Sequence, residues 1–189
     1  NNGKELIFSA PSGSGKTTIV KLLVSKFPEL AFSISATTRD PRKGVETNGV
    51  DYHFLALSDF KKFIEQNELI EWEEVYEGTL YGTLKSEIDR IWQNDQVVVF
   101  DVDVKGGLNL KKYFGDNALA IFVKAPDLKT LESWLKGRKT EAESDLQKRL
   151  QKVQQEMQFE SDFDLVIVNK DLDQSLANAE KITSDFIKS

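Results

Sequence analysis
The stretch Ala10-Pro-Ser-Gly-Ser-Gly-Lys-Thr-Thr18 holds the residue types that bind a polyphosphate. Gly13 and Gly15 let a short loop curl until its backbone N–H groups turn inward. Lys16 can reach the terminal phosphates of a nucleoside triphosphate, and the Thr17 hydroxyl can reach a magnesium ion. Ser12, Ser14 and Thr18 complete the stretch. The pattern G-x-x-x-x-G-K-[ST] asks for glycine where this chain has Ala10, a small perturbation if that residue still belongs to a strand. The bland alternative is a glycine-rich turn that happens to lie near a lysine.

Other residues could take part in the same chemistry. Five of the 25 basic residues are arginine, and four of those five fall in two segments. Arg39 and Arg42 flank Pro41, and two guanidinium groups on a stiffened backbone suit one phosphate. Tyr52 and Tyr81 could add hydroxyl donors. Arg138 and Arg149 flank a polar stretch and could close over a transferring phosphoryl group. A solvated loop and a surface charge ladder are the plain alternatives for these two segments. Asp101 ends an apolar run and Asp103 follows it; such carboxylates either work near magnesium or cap the next helix. Glu71 lies between Ile70 and Trp72, and a buried carboxylate needs a partner. Guanine offers two donors, N1–H and the N2 amino group, where adenine presents an acceptor; a surface strand residue is the simpler reading of Glu71. His53, the single histidine, reads as structural, and Trp72, Trp92 and Trp134 as core or partly buried aromatics.

The elements that must position these groups follow from apolar periodicity. Residues 5–10 read as a buried strand, and residues 17–27 as the helix that opens on Lys-Thr. Strands are expected at 32–35, 52–55, 69–76, 80–83, 96–101, 118–123 and 165–168. Helices are expected from a cap at Ser58, at 84–94, near 108–114, at 128–135, from a cap at Ser144 to about Phe159, and at 175–187. Residues 36–49 are rich in turn formers, which argues against regular structure there; residues 137–143 are polar and expected to be mobile. Buried strands alternating with helices imply an α/β fold whose parallel sheet is covered by helices on both faces. Residues 36–83 break that rhythm and read as a small strand-rich lobe inserted into a single domain of residues 1–189, with a lid at 136–148.

Bulk composition narrows the field further. The chain has 189 residues, a net charge of −6 and no cysteine. That length suits one domain with a substantial core. The charge argues against broad nucleic-acid or anionic-membrane binding, and the lack of cysteine removes thiolate chemistry. No apolar run approaches the ~20 residues of a membrane span, and no signal-peptide pattern opens the chain, so a cytoplasmic setting is expected.

Taken together, 12–17, 35–42 (Ser-Ala-Thr-Thr-Arg-Asp-Pro-Arg), 51–54, 69–72, 81–83, 100–103, Gly137-Arg138 and Val168-Asn169 resemble, in order, the motifs of guanylate kinases, P-loop nucleoside monophosphate kinases. The resemblance spans nearly the whole chain. It implies transfer of the γ-phosphoryl group of ATP to GMP or dGMP, with Mg2+ accompanying ATP. The implied ATP site is Ser12, Gly13, Ser14, Gly15, Lys16, Thr17 and Thr18, with Asn169 near the adenine. Ser35, Arg39, Arg42, Tyr52 and Tyr81 would hold the GMP phosphate, and Glu71, Thr83 and Asp103 would read guanine. Lys16, Asp101, Arg138 and Arg149 would be catalytic, with Thr17 and Asp101 serving the metal directly or through water. Trp134 stands where such proteins commonly carry another lid arginine, leaving that charge to a lysine such as Lys136 or Lys139. The expected partners are the two nucleotides, not nucleic acid or membrane, for a monomer or homo-oligomer. The rival reading is a guanylate-kinase-like module that binds protein and does little chemistry.

Overall fold
The computed structural model of the chain describes residues 3–137 and 143–189. Five strands, β1 (Glu5–Ser9), β2 (Leu30–Phe32), β7 (Val97–Val102), β8 (Ala118–Lys124) and β9 (Leu165–Val168), form a parallel sheet in the order β2-β7-β1-β8-β9. A second sheet contains β3 (Ala36–Thr37), β4 (His53–Phe54), β5 (Leu69–Tyr76) and β6 (Thr79–Leu84), in the order β4-β3-β6-β5. The helices are α1 (Lys16–Lys26), α2 (Leu57–Glu65), α3 (Lys85–Trp92), α4 (Val104–Phe114), α5 (Leu128–Gly137), α6 (Glu143–Met157) and α7 (Leu172–Lys188).

Side chains alternate across a strand, and β1 shows what this does at the centre of the parallel sheet. Leu6 and Phe8 enter one core with Ile19, Val20 and Leu23 of α1 and Ala179 of α7. Ile7 enters the opposite core with Ile88 and Ile91 of α3 and Leu110 of α4. Burial on both faces explains the unbroken apolar runs of β1, β7 and β8. At the sheet edge this cover is incomplete, because Leu165, Val166 and Val168 of β9 are exposed. No helix among the described residues is long and apolar enough to cross a membrane.

Several local expectations need correction. Ala36–Thr37 is a strand despite the turn formers that follow, since β3 pairs with both β4 and β6. The second strand covers Leu30–Phe32 rather than 32–35. Helix α2 starts after Ala56 with no side-chain cap, so Ser58 lies within its first turn, and Ser144 lies within α6. Helix α7 begins at Leu172, capped by Asp171, whose side chain accepts from the Gln174 N–H. Helix α4 begins four residues before Leu108, through a Gly106-Gly107 pair that has low helix propensity. Close packing requires those glycines: a Cβ on Gly107 would come 1.9 Å from Ser9 Oγ. Trp72 is exposed rather than part of the core.

One carboxylate is buried away from the loops. Glu5, at the start of β1, has no exposed surface, and neither carboxylate oxygen has a hydrogen-bond partner. Burial pushes its pKa up to about 8 from 4.5, with the Trp92 indole opposing the rise. The folded state therefore prefers Glu5 protonated. That contribution to stability is intact below about pH 4.5 and lost as pH rises through about 8. Glu5→Gln should melt close to wild type near pH 4.5 and on the order of 5 °C higher at pH 9. Thermal unfolding followed by circular dichroism across that range checks this; a difference independent of pH would contradict it.

Candidate functional site
Residues 10–15 link β1 to α1 over the carboxyl end of the parallel sheet. Gly13 and Gly15 have φ of 88° and 83°, the left-handed region that side chains disfavour. A Cβ on Gly15 would also lie 2.4 Å from Asn169 Nδ2. The buried Asn169 amide donates to the Ser14 carbonyl at 2.9 Å and so braces the loop from behind. Ser14 Oγ donates to the Pro11 carbonyl at 2.8 Å. Ala10 lies one residue beyond β1, is buried in the core of α1 and α7, and lines the cleft.

Parallel pairing sets Phe8 beside Asp101 and Ser9 beside Val102. Lys16, at the start of α1, consequently meets Asp101 in an ion pair. Burial pushes the Lys16 ammonium down to about 7, opposed by the Asp103 and Glu156 carboxylates. Contact with Asp101 also favours the charged form.

The second sheet faces this loop across a cleft of about 1040 Å³. Register pairs Glu71 with Thr83, and the Thr83 hydroxyl donates to Glu71 Oε1 at 2.7 Å. Burial raises the Glu71 pKa to about 7; Thr83 opposes the rise, while Asp103 and Glu73 add to it. Asp103 caps α4, accepting from the Gly106 N–H at 2.8 Å. A Cβ on Gly106 would sit 3.0 Å from Asp103 Oδ1 and 3.7 Å from Glu71 Oε2, so this glycine lies between the two carboxylates. The cap reading and the proximity to Glu71 are therefore both true of Asp103.

At the other end of β3, Arg39 is held on several sides. Its Nε donates to Tyr81 Oη at 3.1 Å, and its two terminal nitrogens donate to Glu46 at 2.7 and 2.6 Å. The guanidinium also stacks 4.9 Å from the Tyr52 ring centroid and 5.3 Å from that of Phe54. The Arg42 N–H donates to Glu46 Oε2 at 2.8 Å. Arg39, followed by the Arg42 amide, holds Glu46 well ionised, its pKa down at about 2.

The structure brings together on one cleft Ser12 to Thr18, Ser35, Arg42, Tyr52, Glu71, Tyr81, Asp101 and Asp103. Arg39, Thr83 and Asn169 stand directly behind them, through their bonds to Tyr81, Glu71 and Ser14. Arg149 lies on α6 one turn before Lys152, whereas Arg138 is outside the described residues. His53 bonds to Glu87 at 2.9 Å, consistent with a structural histidine. Lys136, considered above as a source of charge, pairs with Glu132 at 2.7 Å on α5. Sequence reasoning passed over Glu46, Lys152 and Glu156, which line the cleft, and Glu73, expected on a solvated acidic face, lines it as well. The signal for Lys152 and Glu156 was present: they are spaced i,i+4 beside Val153 and Met157, the apolar positions of α6.

Comparison with known proteins agrees with this geometry. The guanylate kinase family profile matches residues 2–185. The guanylate kinase of Bacteroides thetaiotaomicron is 48% identical over 98% of this chain and 90% of that protein. That of Salinibacter ruber is 46% identical, covering 97% of each. The solved guanylate kinase of Anaplasma phagocytophilum shares the fold, with a TM-score of 0.77 at 24% identity over 97% of this chain and 85% of that one. With the phosphate loop, the arginine loop and the Glu71 pair arranged on one cleft, and with matches of this extent, the chain belongs to the guanylate kinase family.

Proposed function
We propose that this chain transfers the γ-phosphoryl group of ATP to GMP or dGMP, giving ADP and GDP or dGDP. The observation that carries the reading is that the phosphate loop with Lys16 and the Glu71–Thr83–Asp103 group open on the same cleft. A phosphate oxygen of GMP attacks the γ-phosphorus in line. The new P–O bond forms as the bond from the γ-phosphorus to the bridging oxygen breaks, and ADP leaves with the electron pair. No covalent enzyme intermediate is needed.

Each residue then has a task. Backbone N–H groups of the loop and Lys16 hold the ATP phosphates, while Asn169 keeps the loop in shape. Arg42, Tyr52, Tyr81 and Ser35 receive the GMP phosphate, with Arg39 fixed by Glu46. Glu71 accepts from guanine N1–H and N2, aided by Thr83 and Asp103. Thr17 and Asp101 offer the hard oxygen donors that Mg2+ takes in small number, so they fit a nucleotide-bound ion held mainly by phosphate and water. When bound, that ion neutralises phosphate charge. Arg138 and Arg149 add positive charge to the transferring group. The lobe of residues 36–83 carries the GMP side, and its approach to the ATP side excludes water. A cytoplasmic setting with both nucleotides at hand suits this activity. A protein-binding module has no use for Lys16, Thr17 and Asp101 placed in this way.

ADP formation from ATP and magnesium, with GMP, dGMP, AMP, CMP and dTMP in parallel, tests the reading. GMP and dGMP should be fast and AMP nearly inert; a preference for another nucleotide would keep the fold and overturn the base assignment. Arg42→Ala should raise KM for GMP by about tenfold or more, the scale of one charged hydrogen-bonding contact. An unchanged KM would remove Arg42 from the phosphate site. Because the Glu71 pKa stands near 7, GMP binding should weaken as pH falls from 8 to 6 and its carboxylate gains a proton. Glu71→Gln should lose that component of the pH profile and most of its selectivity for GMP over AMP. Identical profiles for variant and wild type would refute the role of Glu71.

A further inference from the structure
Among the described residues, four cations line the cleft, Lys16, Lys21, Arg42 and Lys152, against seven carboxylates. A cleft that holds two phosphorylated substrates depends strongly on each cation it has. Lys152 has no task in the reading above.

Its location follows from packing. A Cβ on Gly13 would come 2.7 Å from Leu135 Cδ2 and 3.5 Å from Leu131 Cδ1, so α5 lies directly on the phosphate loop. Leu131 and Leu135 form one buried cluster with Val153 of α6. Val153 is fully buried, which seats α6 firmly, and the adjoining Lys152 lines the cleft. One turn on, Glu156 Oε1 lies 3.7 Å from Lys152 Nζ, an i,i+4 ion pair. The other Glu156 oxygen is buried without a partner. The Glu156 carboxylate acts on Lys16 through space; burial raises its pKa, while Lys152 and the Ser12 backbone N–H oppose the rise. Lys152 thus pairs with a carboxylate that faces the phosphate loop, with its own side chain 44% exposed.

We propose that Lys152 is a further catalytic cation of this chain: its ammonium moves from Glu156 to the γ-phosphoryl group at the phosphate loop and stabilises the charge that develops there during transfer. The proposal rests on the phosphotransferase reading. It supplies positive charge from α6, across the cluster into which Trp134 of α5 packs, where Lys136 does not line the cleft.

Steady-state kinetics of the full chain with ATP, magnesium and GMP test it. Lys152→Met should lower kcat by about 10- to 100-fold, with KM for GMP within about twofold, as expected for a charge used mainly in the transition state. Lys152→Arg should restore kcat to within about fivefold of wild type by keeping the charge. Lys181→Met, at an exposed lysine of α7 that does not line the cleft, should leave the kinetics unchanged. Thermal unfolding of each variant accompanies the assay. Wild-type kcat in Lys152→Met would overturn the assignment while leaving the kinase reading intact. Equal losses of kcat in the Met and Arg variants, together with a lower melting temperature, would mark a structural role and also overturn it. If the wild-type chain forms no ADP with any nucleotide, the kinase reading fails and the assignment with it.

Discussion

The pairing of Lys16 with Asp101 depends on two strands lying side by side and ending at the same level. Parallel register between β1 and β7 puts the first turn of α1 beside the last residues of β7. Taking an ammonium and a carboxylate out of water is costly, and one without the other would be worse. The two core faces around β1 hold the strands in that register. The loop between β1 and α1 therefore has little freedom, and Leu131, Leu135 and Asn169 restrict it further from outside.

Helix α4 links this phosphate end to the second sheet. Its cap, Asp103, sits two residues beyond Asp101 and beside Glu71 of β5. Gly106 and Gly107 weaken the helix by propensity, but Gly107 lets it approach Ser9 more closely than any side chain would allow. One capped helix thus holds Asp101, beside Lys16, and Asp103, beside Glu71, in a fixed relation. Propensity has yielded to packing at the place where the two halves of the site meet.

The cleft is electrostatically divided. Arg39 and Glu46 neutralise one another at the arginine loop, with Tyr81 and Tyr52 around Arg39. Glu71, Glu73, Asp103 and Glu156 crowd the opposite side, and burial, with a smaller part from neighbouring carboxylates, raises Glu71 and Glu156. Bound phosphates must be received by the few cations placed among these acids. Local arrangement, not the net charge of −6, decides what enters.

The amino-acid sequence by itself determined the phosphate loop, the alternation of strands and helices and most of the residues that share the cleft. Glycine spacing, two-faced apolar strands and the rationing of arginine are local features, visible wherever the chain is read. It also misjudged what depends on partners distant in the chain. Ala36–Thr37 is a strand only because β4 and β6 flank it, and α4 runs through two glycines where Ser9 lies against Gly107. The bracing of the loop by Asn169, the engagement of Arg39 by Glu46 and the place of Lys152 on the cleft were decided by tertiary structure alone. Each of these joins groups through contacts that composition and periodicity do not encode: a side-chain amide on a carbonyl 155 residues away, a bidentate ion pair across a turn, and a helix seated by one buried valine.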